Sequence, residues 1–332
     1  MKAMLLRETA PIDSSPLELA DLPEPRPGPA EVRIRVRCCA ICRTDLHVIE
    51  GELPRQKRPI VPGHQIIGEV DATGEACRRL RIGSRIGVAW LRHTCGTCAY
   101  CRSGRENLCE FSRFTGYHAD GGYAEYAVVP EEYAYEIPEG FDDIDAAPLL
   151  CAGIVGYRAL KRSELPDGGT LAIYGFGSSA HVIMQIAIHR GCRVYVVTRS
   201  ERHRELARQM GAAWVGETAA EMPEKTDSAI IFAPAGELVP AALAALNKGG
   251  TLALAGIYMT PIPSMDYDTY VFYERNLRSV TANTREDGRE LLAEAARIRL
   301  RPHTTRYALV DANRALQDLK HDRINGTGVL VI

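Results

Sequence analysis

Four cysteines, Cys95, Cys98, Cys101 and Cys109, follow the spacing C-x2-C-x2-C-x7-C. That spacing brings four thiolates within reach of one tetrahedral Zn²⁺. Two-residue gaps suit a metal knuckle better than paired bridges, because the chain must curl around a single centre. A disulfide or redox-sensing cluster is the competing reading. It is disfavoured in a chain whose N-terminus shows no export signal, since thiols persist in a reducing compartment. A site closed by four thiolates leaves no position for a substrate, so it holds a loop together.

Three other candidates stand far apart: Cys42 in Cys42-Arg43-Thr44-Asp45-Leu46-His47, His64 after Pro62-Gly63, and Cys151 in Pro148-Leu149-Leu150-Cys151-Ala152-Gly153. Singly they say little. A lone cysteine is usually a small hydrophobe, and a lone histidine is more often a hydrogen-bonded core or surface group than a ligand.

A third feature handles phosphate. Gly175-Phe176-Gly177-Ser178-Ser179-Ala180 follows the apolar run Thr170 to Tyr174 and opens an amphipathic stretch ending at His189. This is a G-x-G-x-x-A variant of the dinucleotide fingerprint. Gly175 allows the tight turn, Gly177 admits the pyrophosphate, and Ala180 permits close helix–sheet packing. Ser178 and Ser179 open the helix, whose free N–H groups receive the phosphates. The end of the next strand, Thr198-Arg199-Ser200, lacks the acid that would hold a ribose 2′-hydroxyl. A cation and a hydroxyl stand there instead, so NADP is favoured over NAD. Arg202 and Arg204 add to the field or else only line a solvated helix face.

Elements must position these groups. Glu31-Val32-Arg33-Ile34-Arg35-Val36-Arg37 alternates as a half-buried strand does. Pro23, Pro25, Pro27 and Pro29 mark an extended approach to it. Beyond residue 150, strand-like and helix-like segments alternate, as a parallel sheet with crossover helices requires. The tail, Ala308 to Val310 and Gly328 to Ile332, returns to strand character and can close the first sheet. With Lys+Arg 40 against Asp+Glu 42, the net charge of -2 offers no field for nucleic acid. No apolar run is long enough to span a bilayer. The chain reads as cytoplasmic, with neither nucleic acid nor membrane as a partner.

Taken together, Cys42-Arg-Thr-Asp, Gly63-His64, the four-cysteine lobe, Pro148-Leu-Leu-Cys151-Ala-Gly and the turn at Gly175 resemble, in order and spacing, the zinc-containing alcohol dehydrogenases of the medium-chain dehydrogenase/reductase superfamily. The resemblance spans almost the whole chain. It implies an α/β protein with a β-rich GroES-like catalytic domain over 1–147 and 286–332, its cysteine lobe at about 92–112. A Rossmann doubly wound parallel sheet domain is implied over 148–285. It also implies two Zn²⁺ per chain, one structural on the four cysteines and one catalytic on Cys42, His64 and Cys151. Two thiolates and a neutral imidazole cancel the formal charge of Zn²⁺, and an open position keeps it a Lewis acid toward an alcohol or aldehyde oxygen.

By the same resemblance Asp45 supports His64. Thr44 hydrogen-bonds the substrate oxygen, and a relay through the cofactor ribose ends at His47, a residue type that accepts protons near neutral pH. Arg43 contacts the cofactor pyrophosphate; Ala233, Gly256, Ile257 and Arg285 stand near the cofactor. One residue departs from the pattern: Gln65 follows the histidine ligand where these enzymes commonly carry glutamate. The implied activity is alcohol dehydrogenase or aldehyde reductase on a small molecule, in a homodimer or homotetramer. A polyol dehydrogenase is a nearby alternative, disfavoured by Cys151, and a non-catalytic zinc and NADP sensor is a more remote one.

Overall fold

In the strand Glu31–Ala40, Val32, Ile34 and Val36 are buried while Arg35 and Arg37 face water. That one-sided pattern fixes its place against a core. The computed structural model describes residues 1–332 and divides into two compact units, Met1–Ala152 with Ala282–Ile332, and Gly153–Thr281.

In the first unit Glu31–Ala40 is the hub of a seven-stranded sheet. It pairs antiparallel with Gln65–Thr73, Tyr126–Pro130 and the C-terminal strand Thr327–Val331. Thr304–Ala308 adds in parallel beside that last strand. The tail therefore completes the first unit's sheet. Leu309 and Val310 do not continue the strand as their apolar character suggests; Leu309–Asp311 forms a 3-10 turn. The chain must turn there because Ala312, Ala315 and Leu316, on the following helix Ala312–Lys320, pack into the core beside Leu330.

The second unit is built on a six-stranded parallel sheet. Its spatial order is Trp214–Gly216, Arg193–Val197, Thr170–Tyr174, Thr226–Ile231, Leu246–Leu254, Asn276–Ser279. Counted along the chain, this is the 3-2-1-4-5-6 order of the Rossmann fold. Thr170–Tyr174 is buried at every residue, as a strand covered on both faces must be. It sits where the strand order reverses, and the helix Ser178–His189 follows it directly.

The units divide after Ala152 and after Thr281, rather than at the expected 147/148 and 285/286. Cys151 and Arg285 thus lie in the first unit. Bonds to distant segments of the first unit account for this. The Ala152 N–H donates to Gln65, and the Arg285 N–H donates to Glu106. No helix is long and apolar enough to cross a membrane.

Candidate functional site

Cys42 ends the run from the hub strand and caps the helix Arg43–Glu50. Its Sγ accepts the Thr44 N–H at 3.3 Å, and Asp45 Oδ2 accepts the Cys42 N–H at 2.9 Å. The same carboxylate reaches a second element: Asp45 Oδ1 lies 3.1 Å from His64 Nδ1. One buried aspartate therefore ties two far-apart segments. A carboxylate there accepts a hydrogen bond from Nδ1–H and leaves Nε2 facing Cys42 Sγ, 3.3 Å away.

His64 is rigidly seated. The N–H groups of Gly121, Gly122 and Tyr123 donate to the carbonyls of Val61, Gly63 and Pro62 at 2.7, 2.9 and 3.0 Å. The two backbones touch with nothing between them. A Cβ on Gly121 would lie 1.9 Å from the Gly63 carbonyl oxygen, so only glycine fits. The third group, Cys151, sits between the 3-10 turn Ala147–Leu150 and the helix Ala152–Arg162. Gln65 Oε1 accepts the Ala152 N–H at 3.4 Å, so the neighbour of His64 tethers the neighbour of Cys151. Gln65 is fully buried and its Nε2 has no partner.

The side-chain donor atoms of Cys42, His64 and Cys151 all lie within 4.8 Å of one another. Zinc with ligand distances of about 2.3 Å to sulfur and about 2.0 Å to nitrogen needs tetrahedral edges of about 3.6–3.8 Å, so the cluster fits that ion. Its electrostatics also favour a cation. Hydrogen bonding from Cys151, then the neighbouring His64, holds the Cys42 thiol well below its ordinary value despite burial. Burial opposes charge on His64, yet Asp45 and Cys42 outweigh it and raise the imidazole to about 10. Beside the cluster, the Trp90 ring meets His64 edge-on at 4.9 Å and stacks on Phe114 at 4.9 Å.

The four-cysteine lobe makes a second, local cluster. Cys95 Sγ lies 3.6 Å from Cys109 Sγ and 4.0 Å from Cys101 Sγ. Those separations match the edges of a zinc tetrahedron and far exceed a disulfide bond of about 2.05 Å. All ten cysteines are free thiols. Backbone N–H groups of Thr97 and Cys98 aim at Cys95 Sγ and bring its thiol down to about 6. The lobe is anchored by Glu106, whose carboxylate receives the Arg285 backbone N–H at 2.7 Å and its guanidinium at 2.8 Å. Arg285 also lies over the Tyr133 ring, whose hydroxyl accepts the Thr94 N–H at 2.8 Å. The guanidinium expected near the cofactor is thus committed to the lobe.

In the second unit Gly175 has φ +84° and packs against Ala233. At Gly177 a Cβ would meet nothing within 4 Å, and the helix that starts at Ser178 and continues through Ser179 and Ala180 has no side-chain cap. An open space before uncapped N–H groups suits a phosphate. At the end of the next strand Thr198 is buried and Arg199 exposed, with Ser200 between exposed and buried. Arg204 is not free for a ligand: it donates to the carbonyls of Thr198 and Arg199 and pairs with Glu201 and Glu217. Gly256 and Ile257 follow the strand Leu246–Leu254, and Ile257 is exposed. Arg43, first residue of its helix, is exposed; Thr44 is buried on the same helix as His47.

Residues 28–139 match the alcohol dehydrogenase GroES-like domain, and residues 180–297 match the zinc-binding dehydrogenase family. A probable alcohol dehydrogenase, AdhA, of Mycobacterium tuberculosis is 49% identical over 337 residues, covering 100% of this chain and 97% of that protein. The chain belongs to the zinc-binding alcohol dehydrogenase family. Its β-rich unit is the GroES-like domain of these dehydrogenases, and its reaction class is alcohol dehydrogenase or aldehyde reductase. Two solved structures are each 26% identical and each superpose on 100% of this dehydrogenase. An acetophenone reductase of Geotrichum candidum in complex with NAD has a TM-score of 0.87 over 97% of its chain. A putative zinc-binding dehydrogenase of Sinorhizobium meliloti bound to NADP has a TM-score of 0.88 over 99% of its chain.

Sequence reasoning missed Glu106 and the bond from Ala152 to Gln65. Neither has a local signal, because each partner lies far along the chain: 179 residues for Glu106 and Arg285, 87 for Gln65 and Ala152.

Proposed function

We propose that this chain is a zinc-dependent dehydrogenase that moves hydride between a small alcohol or aldehyde and NADP(H). The reading is carried by one observation: Cys42, His64 and Cys151 converge within 4.8 Å although they come from three separate segments. Those residues hold the catalytic zinc, and Cys95, Cys98, Cys101 and Cys109 hold a structural one. When bound, the catalytic ion supplies Lewis acidity toward the substrate oxygen. Asp45 keeps His64 in the Nδ1–H tautomer that leaves Nε2 as the ligand atom. Thr44 Oγ1 hydrogen-bonds the substrate hydroxyl, and His47 takes up its proton at the solvent edge. Trp90 with Phe114 offers an apolar wall suited to an uncharged substrate.

For the cofactor, Gly175, Gly177 and the helix start at Ser178 to Ala180 cradle the pyrophosphate. Ala233, Gly256 and Ile257 flank the nicotinamide. Thr198, Arg199 and Ser200 receive the adenosine ribose. With no acid at Thr198, and with Arg199 exposed, a 2′-phosphate meets attraction rather than repulsion. The ten free thiols agree with work in the cytoplasm. Self-association, as a dimer or tetramer, is supported by the edge strand Asn276–Ser279, which exposes Leu277, and by the exposed Phe272 and Tyr273 just before it.

A panel of alcohols and aldehydes assayed with NAD(H) and NADP(H), before and after chelation, tests the reading. Turnover should depend on metal, with about two zinc per chain, and kcat/KM should favour NADP(H). Metal-independent turnover would sink it.

A further inference from the structure

One carboxylate beside the ligand-bearing helix has no role so far. The helix Arg43–Glu50 stops at Gly51, whose φ of +81° turns the chain back on itself. A Cβ there would lie 3.2 Å from Thr9, so the reversal depends on glycine. It returns the next two residues to His47. Leu53 N–H donates to the His47 carbonyl at 3.2 Å, and Glu52 Oε2 hydrogen-bonds His47 Nδ1. Main chain and side chain of one histidine are thus both clamped by one short turn. The His47 side chain keeps only 16% of its exposure, whereas Glu52 keeps 56%. The ring is mostly covered and the carboxylate stands in water.

An ionised carboxylate can only accept, so the bond requires the proton on Nδ1 and leaves the lone pair on Nε2. An ion pair on an open surface contributes little to stability. A histidine held by two bonds in one orientation suits a proton transfer, which depends on the position of one atom.

We propose that Glu52 is a positioning residue for the proton relay: it fixes His47 as the Nδ1–H tautomer, so that Nε2 is the atom that takes the proton released in alcohol oxidation. This rests on the assignment of His47 as the end of that relay. In the step, the alcohol O–H bond breaks with its electron pair left on the oxygen, and the proton passed along the relay bonds to the Nε2 lone pair; the ring becomes imidazolium, its charge offset by the Glu52 carboxylate. Loss of the Nε2 proton to water restores the neutral ring with Nδ1–H in place. No proton remains on Glu52 at the end of the cycle.

The test uses the metal-loaded enzyme and its variants Glu52→Ala, Glu52→Asp, His47→Gln and the His47→Gln/Glu52→Ala double. Measurements are kcat and KM in alcohol oxidation, with ¹⁵N NMR of labelled histidine, His47 being assigned by its loss in His47→Gln. Glu52→Ala should lower kcat by about tenfold, a fraction of what a general base contributes, with KM little changed. Its His47 signal should move from Nδ1–H to a tautomer mixture, Glu52→Asp should recover most of the rate, and the double should be no slower than His47→Gln. If His47→Gln is impaired but Glu52→Ala keeps both the parent kcat and the parent tautomer, the Glu52 proposal fails alone. If His47→Gln turns over at the parent rate, the relay assignment falls and takes the proposal with it.

Discussion

The two thiolate clusters of the first unit are built by opposite means. In the lobe the four cysteines lie between positions 95 and 109, and each of three backbone N–H groups, those of Cys95, Cys98 and Cys101, donates to another cysteine's sulfur. The chain need only curl on itself, and three of the four residues remain partly exposed. In the other cluster the groups stand at positions 42, 64 and 151. A capped helix, a glycine-packed segment and a 3-10 turn must all be in place before they meet. Four ligands define a metal's geometry by themselves. Three leave it undefined, so the surrounding protein must supply the rigidity, and here Asp45 and Gln65 bridge the segments.

The sharpest way to break this contrast is to remove one group from each cluster. Cys42→Ala or Cys151→Ala should abolish turnover and lower zinc from about two to about one per chain, with the fold retained. Metal analysis beside steady-state rates reads both, and near-normal rates in either variant refute the ligand assignment. Cys98→Ser should do the reverse, lowering Tm by about 10 °C while the remaining bound zinc still supports turnover. A thermal melt with activity per bound zinc measures it; an unchanged Tm would show the lobe to be structurally idle.

Smaller changes probe the supports. Asp45→Asn should weaken metal at the open cluster by roughly 10–100-fold and leave the lobe unaffected. Competition with a chromophoric chelator separates the two ions, and equal weakening of both would erase the distinction. Arg285→Ala should cost about 2 kcal/mol of stability, since it strips charge-assisted hydrogen bonds from a half-buried Glu106. Denaturant unfolding gives that value. NADP(H) affinity should be unchanged, and a tenfold loss would return Arg285 to the cofactor.

Much of the architecture was legible. The alternation at Glu31 to Arg37 predicts a strand with one buried face, and the same residues form the hub of the sheet. The glycine turn predicts strand, tight turn and helix, and Thr170–Tyr174, Gly175 and Ser178–His189 follow that order. The Arg285–Glu106 bond was not legible, because the surroundings of Arg285 in sequence say nothing of Glu106, which reaches it through the folded lobe. For Arg204 the sequence leaves two readings open, phosphate or solvated helix face, and the structure shows its donors spent on carbonyls and on Glu201 and Glu217.

From the sequence alone come the closed cysteine lobe, the phosphate-binding turn and the strand periodicities, because each depends on residues a few positions apart, where covalent geometry limits the choices. Family resemblance named the open ligand set among ten cysteines and nine histidines. Only the tertiary structure decided how that set is held, which arginines are free, and that Glu52 meets His47. Those outcomes depend on where packed segments come to rest, and no spacing along the chain encodes a distance across the fold.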